Sequence, residues 1–196
     1  MMTLFLSASI PLPGRDPKYM ATADTIAIRD AIKALVGAAL DQGTIVFGGH
    51  PAITPLIALL LRGMPIETRR RVVLYQSAFY EKDFIDETNE FIDLRLVPAR
   101  NGDKKASEEF MRKRMIESHK FDAAIFIGGM EGIWDEYRLF QASHPDALCL
   151  PIGSTGAAAL ELYSEIAPDR PELMQELTYP TLFRNLLSEI SHRKTA

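Results

Sequence analysis

The sequence predicts an α/β fold of the Rossmann-like, doubly wound type: a mostly parallel sheet with helices on both faces. Three observations predict it. Short apolar runs of strand length alternate with longer amphipathic segments along the chain, the rhythm of βαβ units, whose parallel sheets are covered on both sides. Several of those runs end in glycine-bearing loops just before a helical pattern. No internal repeat, low-complexity tract or long linker divides the 196 residues, so one domain over residues 1–196 is expected.

The elements follow in order. Thr3 to Ile10 is an apolar run closed by the proline-rich loop PLPGRDPKY. Thr22 or Asp24 can cap the next segment, in which Ile26, Ile28, Ile32, Leu35, Val36 and Leu40 suggest a helix with a broad buried stripe, stopped by Gly43. Thr44 to Phe47 reads as the second strand. The loop GGHPAIT follows, then a helix with Thr54 as N-cap and Pro55 at its first position. Arg71 to Tyr75 is a third strand, EKDFIDETNEF a polar helical or irregular stretch, and IDLRLVP a fourth strand. KKASEEFMRKRMIESH is a charged amphipathic helix with Phe110, Met111 and Met115 inward. Ala123 to Ile127 is the fifth strand, IWDEYRLFQASH a helix, ALCLPIG the sixth strand and TGAAALELYSEI a further helix. YPTLFRNLLSEISHRK closes the chain as an amphipathic helix.

Composition narrows the function. Apolar residues make up 47% and charged residues 24%, which excludes wholesale disorder. A net charge of −4 gives no general attraction to nucleic acid or anionic membrane. Cys149 is the sole cysteine, so there is no internal disulfide or cysteine-based zinc site, in keeping with a cytoplasmic protein. The histidines show no HExxH or close ligand pair, so no metal is expected, and no cofactor. The apolar start lacks the basic region of a signal peptide, and no uncharged run is long enough to span a bilayer.

In parallel α/β sheets ligands bind beyond the carboxyl ends of the strands, and four loops there carry chemistry. The first holds Ser7, Ser9 and Arg15, hydroxyls and a guanidinium suited to phosphate or ribose. The second holds Gly48, Gly49, His50 and Thr54 before a helix N-terminus, where free N–H groups favour an anion. The third, GGMEGIWDE, holds Gly128, Gly129, Met130, Glu131 and Gly132, whose backbone can nest around phosphate oxygens, and Glu136. Glu136 could bond ribose hydroxyls or act as acid/base in N-glycosidic cleavage. The fourth holds Gly153, Ser154 and Thr155, hydroxyls and a glycine at a helix N-terminus that suit phosphate and are expected to bind the ligand, although capping alone would also explain them. Three glycine-bearing loops at three strand ends point to an extended phosphorylated ligand such as a nucleotide. Neither a GxxxxGK[ST] P-loop nor a GxGxxG fingerprint is present, against a P-loop NTPase or a standard NAD dehydrogenase.

The segments FLSASIPLPGR, FGGHPAITPLI and GGMEGIWDEY resemble the SLOG superfamily, the Smf/DprA- and LOG-related Rossmann-like domains, over nearly the whole chain. LOG-type phosphoribohydrolases carry PGGxGTxxE. Gly128, Gly129, Gly132 and Glu136 match it, whereas Ile127 replaces the proline, Ile133 the threonine, and Met130 with Glu131 widens the gap by one residue. An arginine assists the glutamate in those enzymes, and this motif does not place it. The resemblance is greatest to stand-alone SLOG branches of bacterial antiphage and conflict systems. It implies a sensor or effector for a nucleotide-derived small molecule of the ADP-ribose or NAD kind, or alternatively a LOG-like nucleotide N-glycoside hydrolase with Glu136 as catalyst. A DNA-binding role, as in the DprA branch, is opposed by the net charge. A homodimer is expected from the apolar surface of the Trp134 helix and of the closing helix.

Overall fold

The computed structural model describes residues 1–12, 14 and 17–195. Six strands form one parallel sheet: β1 (Met2–Ser9), β2 (Gly43–Gly48), β3 (Val72–Ser77), β4 (Asp93–Val97), β5 (Ala123–Gly128) and β6 (Leu148–Ile152). Their order is β4-β3-β2-β1-β5-β6. The chain builds outward from β1 on one side, then crosses back after β4 to build β5 and β6 on the other. The connections therefore part between β1 and β5, and such a switch point opens a crevice at the carboxyl edge.

The period-2 alternation of each strand decides which helices cover which face. Leu4 and Leu6 of β1, Ile45 and Phe47 of β2, and Ile125 and Ile127 of β5 pack against α2 (Thr25–Ala39), α3 (Thr54–Leu61) and the closing helix α9 (Tyr179–Thr195). Phe5, Val46, Val73 and Phe126 point the other way, toward α5 (Lys104–Ile116), α6 (Glu131–Ser143) and α7 (Ala157–Ile166). Phe5 sits fully buried between Phe140 and Phe121, with ring centroids 5.6 and 5.9 Å away. Both faces are covered by helices, so the sheet is doubly wound and Rossmann-like.

Local details differ from the sequence expectation in instructive ways. Asp24 caps α2 by accepting from Ala27 N at 2.9 Å, while the Thr22 hydroxyl accepts from Ala157 N at the start of α7. Thr54 is not the N-cap of α3 but its first residue, with Ile53 at the cap and Pro55 second. The Thr54 hydroxyl is buried and accepts from His50 N at 3.0 Å, closing the loop rather than the helix end. The polar stretch after β3 forms two 3-10 segments, Ala78–Asp83 and Asp86–Glu90. Three one-turn helices had no periodicity to reveal them: α1 (Pro17–Met20), α4 (Ile66–Arg69) and α8 (Glu172–Gln175). Among the described residues no helix is long and apolar enough to cross a membrane.

Candidate functional site

A cavity of about 620 Å³ opens at the carboxyl edge of the sheet, within the range of small-molecule sites. Its floor is the end of β1, where Ser7 and Ser9 follow the core residues Phe5 and Leu6. The loop after β2 forms one wall, with Gly48, Gly49, His50 and Thr54. Gln76 and Ser77 at the end of β3 adjoin it, followed by Tyr80 and Phe84. The opposite wall is α5 and the start of α6, with Met130, Glu131, Gly132 and Glu136.

Glu136 is the chemical centre of that wall. Its side chain is 17% exposed. The Ser7 hydroxyl, itself 2% exposed, donates to one carboxylate oxygen, Oε2, at 2.5 Å. Arg112 reaches from α5 to the other, with Nε 3.5 Å from Oε1, and its Nη1 stands 3.7 Å from Asp135 Oδ2. The approach depends on Gly132: a Cβ there would lie 3.0 Å from Arg112 Nη2. Burial pushes the Glu136 carboxyl above its ordinary value, opposed by the charge of Arg112 and the hydrogen bond from Ser7. A carboxyl so balanced suits hydroxyl recognition and proton transfer alike.

The glycine loops are built differently from one another. Gly128 and Gly129 both take positive φ, 62° and 89°. Their amides are already used: Gly128 N donates to Thr155 Oγ1 at 2.9 Å and Gly129 N to the Ser9 carbonyl at 2.8 Å. In the first turn of α6 the amide of Ile133 is likewise taken, donating to the Met130 carbonyl at 3.0 Å. Across the cavity, the 48–54 loop is closed on itself. Ile53 N and Thr54 N both donate to the His50 carbonyl, and Ala52 N donates to His50 Nδ1 at 3.2 Å. Nδ1 is thus the acceptor of that ring.

The structure does not bring the fourth loop to the cavity. β6 lies beyond β5, at the edge of the sheet, so Gly153, Ser154 and Thr155 fall outside the lining. Thr155 is fully buried and bridges Gly128 N and the Ile152 carbonyl, and Ser154 shares a hydrogen bond with Tyr179. Gly153 is packed against Tyr163. Gly128 and Gly129 also shape the corner without lining the cavity. Arg15 lies outside the described residues. Burial pushes the Cys149 thiol up to about 12, which removes it as a nucleophile. Among the described residues no three His, Cys, Asp or Glu side chains group as a metal site.

Reading the sequence loop by loop missed the α5 wall. Lys104, Glu108, Met111 and Arg112 line the cavity at i, i+4, i+7 and i+8, one helical face. The signal was that periodicity, on a charged amphipathic helix of which only Phe110, Met111 and Met115 are expected inward from the sequence. Gln76, Ser77 and Tyr80 carried no signal beyond their place after β3.

A parallel, doubly wound sheet with a cavity at its switch point defines a Rossmann-like domain. The chain belongs to the SLOG cluster3 family, whose model matches residues 18–187, most of the 196. That membership puts it among the nucleotide-related Rossmann-like domains. A search of curated proteins returned no match to the chain.

Proposed function

We propose that this domain binds a nucleotide-derived small molecule of the ADP-ribose or NAD kind in the switch-point cavity and acts as a sensor or effector. The observation that carries the reading is the recessed Glu136, held between Ser7 and Arg112 on the cavity wall. Vicinal ribose hydroxyls are two donors in fixed geometry, and a recessed carboxylate lining a cavity is a strong acceptor for them. Gln76, Ser77 and His50 add polar groups along the opposite wall, suited to the base or to a second ribose. The SLOG resemblance supplies the setting, a nucleotide signal in a bacterial conflict or antiphage system.

A second reading is favoured by one specific pair. Arg112 stands beside Glu136, the arginine–glutamate pairing that the LOG resemblance calls for. In that reading Glu136 orients or deprotonates water. The water oxygen bonds to C1′ as the C1′–N bond breaks, and the base leaves with a proton. Arg112 keeps the glutamate poised between charged and neutral forms.

The test is a panel of ADP-ribose, NAD, cyclic ADP-ribose and AMP, with melting temperature and released product read together. A ligand at one hundred times its Kd adds about 2.7 kcal/mol, a rise of about 5–10 °C for a chain of this size. A rise without product is the sensor outcome. Product that disappears in Glu136→Gln is the hydrolase outcome. No shift and no product across the panel rejects both.

A further inference from the structure

Resting on that reading, we propose that the α6 end of the cavity accepts a hydroxyl-bearing end of the ligand that carries no terminal phosphate. Glu131 is the residue that enforces this choice. The observations concern what occupies the corner where a phosphate would be expected. The amides of Gly128 and Gly129 are bonded to Thr155 and Ser9, so the turn cannot wrap an oxyanion with them. Ile133 lies over the turn: a Cβ on Gly129 would meet its Cδ1 at 1.9 Å. An apolar side chain therefore fills the space above the turn.

The charge balance points the same way. Asp83, Glu108, Glu131 and Glu136 line the cavity against Lys104 and Arg112. Arg112 is already shared between Glu136 and Asp135. Glu131 is the first residue of α6 and occupies the helix end with a carboxylate of its own. Its oxygen Oε2 accepts from the phenol of Tyr19 at 2.8 Å. Burial, with the hydrogen bond to Glu131, pushes Tyr19 up to about 12, so the phenol stays a neutral donor. Among the described residues Glu131 has no ion-pair partner. A phosphomonoester brought to the α6 end meets the carboxylates of Glu131 and Glu136, and the cation paired with Glu136, Arg112, is already shared with Asp135. A sugar hydroxyl meets two acceptors. The ligand class is therefore a nucleotide whose phosphates are internal, such as a diphosphate bridge between two sugars, with a bare ribose at the α6 end.

The experiment titrates ADP-ribose and ADP-ribose 1″-phosphate, which differ only by a phosphate on the terminal ribose, into the full chain by calorimetry. Glu131 is exposed, so solvent screens its repulsion of a phosphate, which amounts to about two- to fivefold in affinity. The wild-type protein is expected to favour ADP-ribose by that factor, and Glu131→Gln to bring the ratio of the two affinities toward one. Tyr19→Phe removes the phenol and leaves the carboxylate, so it separates charge from mere support of the helix start and is expected to keep the wild-type ratio. Equal or tighter binding of the phosphorylated compound by the wild type overturns the proposal while leaving the nucleotide reading intact. So does a ratio unmoved by Glu131→Gln. Binding of neither compound overturns this proposal, and the nucleotide reading falls with it only where NAD, cyclic ADP-ribose and AMP also fail to bind.

Discussion

Gly49→Ala separates the cavity from the fold. Gly49 is not in the left-handed region, so alanine brings no backbone strain, but its Cβ would stand 2.0 Å from Gln76 Nε2 and 2.2 Å from Gln76 Cδ. Ordinary contact needs about 3.5 Å, so the Gln76 amide must retreat by about 1.5 Å. It is the far end of a flexible side chain and can do so by leaving its rotamer, at a cost of about 0.5–1.5 kcal/mol. Alanine restricts the unfolded chain and returns about 0.4–1 kcal/mol. The two nearly cancel, and the melting temperature is expected to move by less than about 4 °C. Binding is different, because both residues line the cavity and the variant adds a methyl group while displacing a polar one. Loss of one hydrogen bond lowers affinity by about two- to tenfold. Calorimetry against the tightest panel ligand, beside a melting curve of the free protein, reads both numbers. Unchanged affinity refutes the placement of the ligand against this wall. A large loss of stability refutes the view that Gln76 is free to move.

Other perturbations probe the remaining parts. Glu136→Gln is expected to change the pH dependence of stability. Burial holds the native carboxyl above its ordinary 4.5, so the native state binds more protons than the unfolded chain between 4.5 and the raised value, and stability falls as pH rises through that window. The glutamine variant lacks that fall, so it gains on the wild type as pH rises from 4.5 toward neutrality. Urea unfolding at a series of pH values checks it, and a difference that shrinks with rising pH contradicts it. Gly156→Ala is expected to destabilise the fold by more than about 2 kcal/mol, because φ there is 71° and the Cβ would lie 1.8 Å from the Thr22 carbonyl oxygen; a melting curve reads the loss. Arg112→Ala leaves Glu136 and Asp135 without their shared cation and is expected to raise the Glu136 carboxyl further, seen as a shift of the same pH window to higher values.

Much of the fold was legible because its signals are local. The apolar strands announce themselves by composition, but in the run Leu4, Phe5, Leu6 both faces are apolar, and which residue meets which helices emerges only in the structure. Glu136 was legible through its spacing from Gly132. What stayed hidden depends on which strands are neighbours. The order β4-β3-β2-β1-β5-β6 carries the fourth glycine loop to the edge of the sheet, where Thr155 ties down Gly128 instead of facing the cavity. The same order folds α5 back against α6 and delivers Arg112 to Glu136, two residues 24 positions apart that no short motif joins. Thr54 illustrates the smaller scale. A threonine before a helical run reads as a cap, yet the chain turns one residue earlier and the hydroxyl closes the His50 loop.

The most direct measurement is a crystal structure of the protein with the tightest-binding member of the nucleotide panel. The expected result places a ribose of the ligand in the cavity, with its hydroxyls within about 3 Å of Glu136 and its body extending along α5 toward Gln76. A ligand seated elsewhere on the molecule, or in the cavity with no hydroxyl near Glu136, would contradict the assignment of this site.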